Sequence, residues 1–424
     1  MTISVFPCEP YGAVKAIPSK SIAHRLLICA SFADKKTLIR CDQTNRDIEA
    51  TVACLCALGA DIKRKAPFYE VTPVAPDKAN KNAVLPCGES GSTLRFLVPV
   101  VAALGIGAYF VMEGRLPQRP LSPMREELEA HGIKFSPQGS NPLYLEGKLS
   151  GSNFSVPGNV SSQFVSGMLF ALSLLPYDTT LTVTGKIESA PYINITSDAL
   201  CLFKAAPKKT KNVYQVTAKS HLISPENIDV EGDWSNAAFP ICLGIIGKGS
   251  VTVKGLNDKS SQGDSKILEL IEQFGGKITR SHDKEGYVAS ASKLRGIDID
   301  ATQIPDLVPI LATVAAVAKG KTRIYGAQRL RLKESDRLQS VCDMLSGLGA
   351  DIAQTEDGLI INGKPQLRGG TVSSYNDHRI AMSAAVAASA CAQPVIIEGA
   401  EAASKSYPSF WKDLESLNVK VSYF

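Results

Sequence analysis

A chain of 424 residues is too long for one ordinary core and implies two domains of about 200 residues each. Its 44% hydrophobic and 21% charged residues are those of a soluble globular protein. Lysine plus arginine (46) exceed aspartate plus glutamate (41) by a net of only +5, and no Lys/Arg block or aromatic-rich basic stripe occurs, which argues against nucleic acid as a partner.

The opening Met1-Thr2-Ile3-Ser4-Val5-Phe6-Pro7 has no basic stretch followed by an apolar one, so a secretory signal is not expected. Next, Pro18-Ser19-Lys20-Ser21-Ile22-Ala23-His24-Arg25 starts a predicted helix whose apolar face is Leu26, Leu27 and Cys29. Lys20, Ser21 and Arg25 are placed to grip an anion there, although a capped helix with a solvated lysine reads the same way. Gly88-Glu89-Ser90-Gly91-Ser92-Thr93-Leu94-Arg95 puts two glycines and hydroxyls before a helix, which lets backbone amides approach a phosphate or carboxylate. It is neither a Walker A sequence nor a GxGxxG fingerprint. The apolar run 96–112, broken by Pro99, Gly105 and Gly107, reads as a buried helix followed by a strand and is short for a membrane span. Arg115-Leu116-Pro117-Gln118-Arg119-Pro120 gathers more base. Ser161-Ser162-Gln163 heads an apolar helix, and Ser189-Ala190-Pro191-Tyr192 reads as a turn with a hydroxyl and a phenol. Capping explains those serines as well as a phosphate ester does.

In the second half, Asp233 and Asp306 each precede an apolar helix, where an N-terminal cap is the ordinary explanation. Lys333-Glu334-Ser335-Asp336-Arg337 reads as a helix start in which Lys333 and Arg337, four apart, share a face. Asn376-Asp377-His378-Arg379 lies at a predicted strand-to-helix junction, and Lys405 precedes Tyr407-Pro408. One such run would be surface charge. Basic residues before five different helix starts point instead to an acidic small molecule, with Glu334 and His378 as proton donors and acceptors. Five scattered histidines and ten cysteines offer no HExxH, CxxC or Gly-x-Ser-x-Gly pattern, so no metal, cofactor or serine nucleophile is expected. Most cysteines lie in apolar stretches as small reduced core residues, and the expected compartment is the cytoplasm.

One phrase recurs: amphipathic helix, glycine turn, short β-rich run. It occupies residues 52–62 and 341–352, more loosely 127–135 and 270–278, closes the chain at 414–421 without its glycine, and is degenerate near 200–216. Three copies fall in each half, separated by the weakly hydrophobic stretch 204–226 and Val230-Glu231-Gly232-Asp233. The expected domains are 1–18 with 231–424, and 19–230. Two similar lobes facing each other would create a ligand-binding cleft.

Taken in order, these pieces resemble the 5-enolpyruvylshikimate-3-phosphate synthase family of enolpyruvyl transferases. The resemblance rests on Ser19-Lys20-Ser21 with Arg25, Gly91 with Arg95, Arg119-Pro120, Ser161-Ser162-Gln163, Ser189 with Tyr192, Ile304-Pro305-Asp306, residues 333–337, residues 376–379, and Lys405 with Pro408. It implies an α/β fold, a two-lobed inverse α/β barrel of three βαβαββ units per lobe. It also implies transfer of the enolpyruvyl group of phosphoenolpyruvate to the 5-hydroxyl of shikimate 3-phosphate, by a monomer without cofactor. By the same resemblance Ser21, Arg25, Ser161, Ser162, Gln163, Ser189 and Tyr192 hold shikimate 3-phosphate. Lys20, Gly91, Arg119, Arg337, Arg379 and Lys405 hold phosphoenolpyruvate. Asp306 would accept the hydroxyl proton, Glu334, Lys333 and His378 are candidates for protonating carbon and assisting departure of phosphate, and Lys20 is counted with them as catalytic. The sequence departs from the family pattern at Glu89-Ser90-Gly91-Ser92, at Ile17, and at Arg329, where an asparagine is usual. The alternatives are the sister transferase acting on UDP-N-acetylglucosamine, whose usual reactive cysteine is missing from residues 115–120, and a non-catalytic phosphometabolite-binding protein.

Overall fold

The computed structural model describes residues 1–218 and 221–424. The recurrent phrase is built by cap chemistry. The helices Arg46–Ala57, Met124–Ala130, Ile267–Gln273 and Arg337–Gly347 are each followed by a glycine at positive φ, respectively Gly59 (113°), Gly132 (97°), Gly275 (89°) and Gly349 (91°). Such backbone disfavours a Cβ by about 1 kcal/mol, so glycine ends the helix and turns the chain into its strand. The two copies without the glycine adopt the same turn at its expense: Lys204 (60°) follows the helix Ala190–Leu202, and Asn418 (62°) follows Phe410–Ser416.

Among the described residues the strands form six four-stranded sheets of one design. Each has a parallel pair extended by two antiparallel neighbours, as in Asn153–Pro157 parallel to Thr179–Thr184, which pairs antiparallel with Val213–Val216 and through it Lys208–Thr210. The chain divides into two compact units, Met1–Ile17 with Glu231–Phe424, and Pro18–Val230. Two crossings make the first unit discontinuous in sequence. Its N-terminal strand Thr2–Val5 lies between Val395–Glu398 and Val421–Tyr423, and Tyr11–Lys15 runs parallel to Ser250–Lys254.

Each unit has its own hydrophobic core, threaded by helices that are apolar on nearly every side. These are Trp234–Ile246, Val308–Ala315 and His378–Ala387 in the first unit, and Lys20–Ser31, Gly91–Leu104 and Ser162–Leu172 in the second. Backbones meet closely: a Cβ on Gly167 would fall 2.3 Å from the Arg95 carbonyl oxygen. With the helix bodies enclosed, many of their charged side chains collect at the N-terminal turns, where the candidate residues lie. No helix among the described residues is long and apolar enough to cross a membrane.

Three local expectations change. Lys333 does not share a helical turn with Arg337; it follows the 3₁₀ turn Gln328–Leu332 in extended backbone, and the helix begins at Arg337 with Asp336 as its cap. Residues 190–192 are the first turn of the helix Ala190–Leu202, entered through Ser189 in left-handed backbone (φ 55°). Asp306 is no cap: it sits inside the 3₁₀ turn Pro305–Leu307, and its carboxylate is drawn to arginines instead.

Candidate active site

In the unit Met1–Ile17 with Glu231–Phe424, one buried guanidinium organises the acids. Asp377 caps the helix His378–Ala387 through its Oδ1, which accepts from the Arg379 amide at 2.9 Å. Its carboxylate also receives Arg337 Nε at 2.8 Å and the Ser335 hydroxyl at 3.1 Å. Arg337 then spends its Nη1 on Asp306 Oδ1 (3.0 Å) and its Nη2 on Glu334 Oε2 (2.7 Å). Burial works against the Arg337 charge, but Asp377, Glu334 and Asp306 more than offset it and hold its pKa above the ordinary arginine value. Burial likewise opposes ionisation of Asp377, and there Arg337 and His378 win, leaving the carboxyl below its usual range.

Asp306 receives two further cations. Arg379 Nη2 lies 3.1 Å from its Oδ2 while Nη1 donates to its carbonyl at 3.0 Å, and Lys333 Nζ is 3.6 Å from Oδ1. Arg379 Nη2 also donates to Ser235 Oγ at 2.7 Å. Lys405 is buried and donates to the Asn376 carbonyl at 2.8 Å, which the left-handed pair Tyr375 (φ 53°) and Asn376 (φ 55°) presents. His378 is buried beside Asp377, Nδ1 to Oδ1 3.8 Å. Thus Asp306, Lys333, Glu334, Arg337, His378 and Arg379 are one cluster, with the cations Lys333, Arg337 and Arg379 gathered around an Asp306 carboxylate that stays 18% exposed.

In the unit Pro18–Val230 the candidates form linked groups at helix starts. Arg25 is fully buried and reaches Thr196 Oγ1 (2.7 Å), the Tyr192 carbonyl (2.9 Å), Ser166 Oγ (3.4 Å) and the Ser21 carbonyl. It therefore ties together the helices Lys20–Ser31, Ser162–Leu172 and Ala190–Leu202. Burial lowers its pKa to about 10, so it remains a cation at neutral pH. Lys20 pairs with Asp47 at 2.8 Å. Gln163 accepts from Arg95 Nη1 (2.9 Å) and donates to Ser92 Oγ (3.0 Å), while Ser161 caps the helix Ser162–Leu172. At Gly91 a Cβ would lie 2.8 Å from Arg119 Nη1, so any larger residue displaces that guanidinium. Ser162 and Ser189 are buried at their helix starts. Helix N-termini and nearby arginines both favour negative charge. Among the described residues no three His, Cys, Asp or Glu side chains gather into a metal-binding group.

Comparison with known proteins identifies the family. The sequence profile of EPSP synthase (3-phosphoshikimate 1-carboxyvinyltransferase) matches residues 9–414. The chain belongs to the EPSP synthase family. It is 40% identical over 426 residues to a 3-phosphoshikimate 1-carboxyvinyltransferase of Clostridium kluyveri, covering 99% of this chain and 98% of that one. A Clostridium perfringens relative of the same name is 40% identical over 417 residues, covering 98% of both. An Acinetobacter baumannii EPSP synthase structure superposes with a TM-score of 0.81 over 100% of both chains at 25% identity. The two-lobed inverse α/β barrel is the EPSP synthase architecture, and the chain is an enzyme of that family.

Some residues of the site had no signal in the sequence. Asp47 reads as an ordinary first-turn acid, and Ser166 and Thr196 lie mid-helix. Asp264, in the short turn Gly263–Lys266, is buried and hydrogen-bonded by Ser235. Burial, reinforced by the neighbouring charge of Asp306, pushes its pKa up to about 6. Only the fold brings each of these residues to its partners within its own unit.

Proposed function

We propose that the protein transfers the enolpyruvyl group of phosphoenolpyruvate to the 5-hydroxyl of shikimate 3-phosphate, with Asp306 as the base. The observation that carries the assignment of roles is the Arg337 guanidinium shared by Asp306 and Glu334, which holds two carboxyl groups at one locus with Lys333 beside them. The reaction needs that pairing. A proton must add to the methylene carbon of phosphoenolpyruvate as the hydroxyl loses its own proton and its oxygen bonds to the neighbouring carbon. The tetrahedral adduct then expels phosphate and returns a proton from the methyl group, restoring the double bond.

Asp306 suits the hydroxyl because Arg337, Arg379 and Lys333 favour its ionised form. Glu334, Lys333 and His378 are the proposed donors to carbon. Arg337, Arg379, Lys405, Lys20, Arg119 and the Gly91 backbone are proposed to hold phosphoenolpyruvate. Ser21, Arg25, Ser161, Ser162, Gln163, Ser189 and Tyr192 are proposed to serve shikimate 3-phosphate. For Arg25 support is favoured over contact, since its guanidinium is engaged with the Tyr192 carbonyl, Ser166 and Thr196. Fixed cations facing developing phosphate charge lower the barrier without reorganisation. A reducing cytoplasm suits the ten free thiols, and a monomer is the proposed state.

The test is phosphate release from shikimate 3-phosphate plus phosphoenolpyruvate, with UDP-N-acetylglucosamine replacing the first in a control. Release with the phosphoshikimate alone is expected; release with the sugar nucleotide alone would move the chain to the other acceptor. Asp306→Asn should lower kcat by about 10²- to 10⁴-fold while phosphoshikimate still binds. Unchanged turnover would remove Asp306 as the base.

A further inference from the structure

Asp264 has no part in the chemistry above, yet it is buried against it. The side chain is 3% exposed. Its hydrogen-bond donor is the Ser235 hydroxyl, and that same oxygen accepts Arg379 Nη2 at 2.7 Å. A hydroxyl has one proton to give. With an ionised Asp264 taking that proton, the Ser235 lone pairs are left to face Arg379. The arginine is then held with Nη2 bridging Ser235 and Asp306 Oδ2 (3.1 Å) and Nη1 on the Asp306 carbonyl (3.0 Å).

We propose that Asp264 is a positioning residue for the reaction: through Ser235 it fixes the Arg379 fork against Asp306, and its own protonation releases that hold. The inference rests on the function proposed above. The charged groups facing Asp264 are Asp306 from the turn Pro305–Leu307, Arg379 from the helix His378–Ala387, and Asp233 at the head of Trp234–Ile246. Asp233 is committed to capping, accepting from the Asn236 amide at 2.8 Å. Three carboxylates around one arginine leave Asp264, the enclosed one, as the member that takes up a proton first, at about pH 6. Once protonated, its O–H competes with Arg379 for Ser235, and the fork loosens.

Two readouts on Asp264→Asn separate positioning from mere packing. The first is kcat/KM for phosphoenolpyruvate as the ratio of variant to wild type, in which ionisation of the substrates cancels. We expect the variant about tenfold lower at pH 7.5, the scale of one charge-assisted hydrogen bond, with the ratio rising toward one by pH 5, where wild-type Asp264 is already protonated. The second is thermal stability. An aspartate whose folded pKa is raised adds stability below its unfolded value that is lost as pH rises through about 6. The asparagine variant should therefore melt higher than wild type at pH 7.5, by a margin that shrinks as pH falls below about 6 and is gone below the unfolded value of 3.8. A ratio constant with pH, or a variant that melts lower at pH 7.5, would overturn the proposal. Ser235→Ala should reproduce the loss at pH 7.5, and adding Asp264→Asn to it should cost nothing further; independent, additive losses would also overturn it. If wild type turns over no phosphoshikimate, the function fails on that result alone. The melting comparison still reports on Asp264.

Discussion

Arg337 shows how one buried side chain ties stability to chemistry. It holds Asp377, which is fully enclosed, and the same fork presents Asp306 and Glu334. Asp377→Asn isolates this coupling, because asparagine still offers an oxygen to the Arg379 amide and keeps the helix cap. What is lost is the countercharge, and an uncompensated buried cation costs about 3–5 kcal/mol. The sign with pH follows from the depressed Asp377 pKa: its stabilisation is complete above the unfolded value of 3.8 and is lost as pH falls through the lower folded one. Urea titrations should show the variant several kcal/mol weaker at pH 7, with the gap closing below about pH 4. A gap equally wide at pH 3 would mean that Asp377 acts through shape and not charge. Residues of this kind are half legible in sequence. The charged runs at 333–337 and 376–379 announce themselves, but Asp264 and Asp47 do not, since their partners Ser235 and Lys20 lie 29 and 27 positions away and only the fold brings them together.

At the scale of the element, the repeat was legible because its punctuation is chemical. A glycine after an amphipathic helix marks a left-handed turn, and four of the six turns carry one. The degenerate copy was hard to see because Lys204 occupies the same backbone, so tertiary packing there overrides the local preference. Misreading 333–337 as one helical turn has a related cause: Glu334, Ser335 and Asp336 all suit a helix start, and spacing alone does not say which is the cap. Gly349→Ala tests the turn. Its φ of 91° strains any Cβ, and the new atom would also stand 3.2 Å from Arg368 Cβ. A loss of about 1–2 kcal/mol in equilibrium unfolding is expected, with KM values unchanged because the turn lies at the opposite end of its helix from Arg337. A neutral or stabilising result would show that the turn relaxes out of left-handed backbone.

For the whole molecule the discontinuity of the first unit matters more than its size. Thr2–Val5 is the link between Val395–Glu398 and Val421–Tyr423, which pair with it and not with each other. Ile3 and Val5 are fully buried, each contributing about 1.5–3 kcal/mol. Removing residues 1–6 therefore deletes two such side chains, breaks the sheet in its interior and exposes two strand edges. Those side chains account for about 3–6 kcal/mol of a total margin of about 5–15 kcal/mol, and with both ladders of the strand lost as well the unit to which it belongs is expected to unfold. The unit Pro18–Val230 has its own core and its own three sheets, none of which contains a residue from that strand. Limited proteolysis with mass spectrometry should then find the truncated chain cleaved throughout 231–424 while a fragment within 18–230 persists, and calorimetry should show one transition lost. Loss of both transitions together would show that the second unit needs the first in order to fold. A truncated chain that melted and turned over like the intact one would show instead that the six sheets tolerate the loss of a central strand, and that the helices threading the core, not the sheets, hold the unit together.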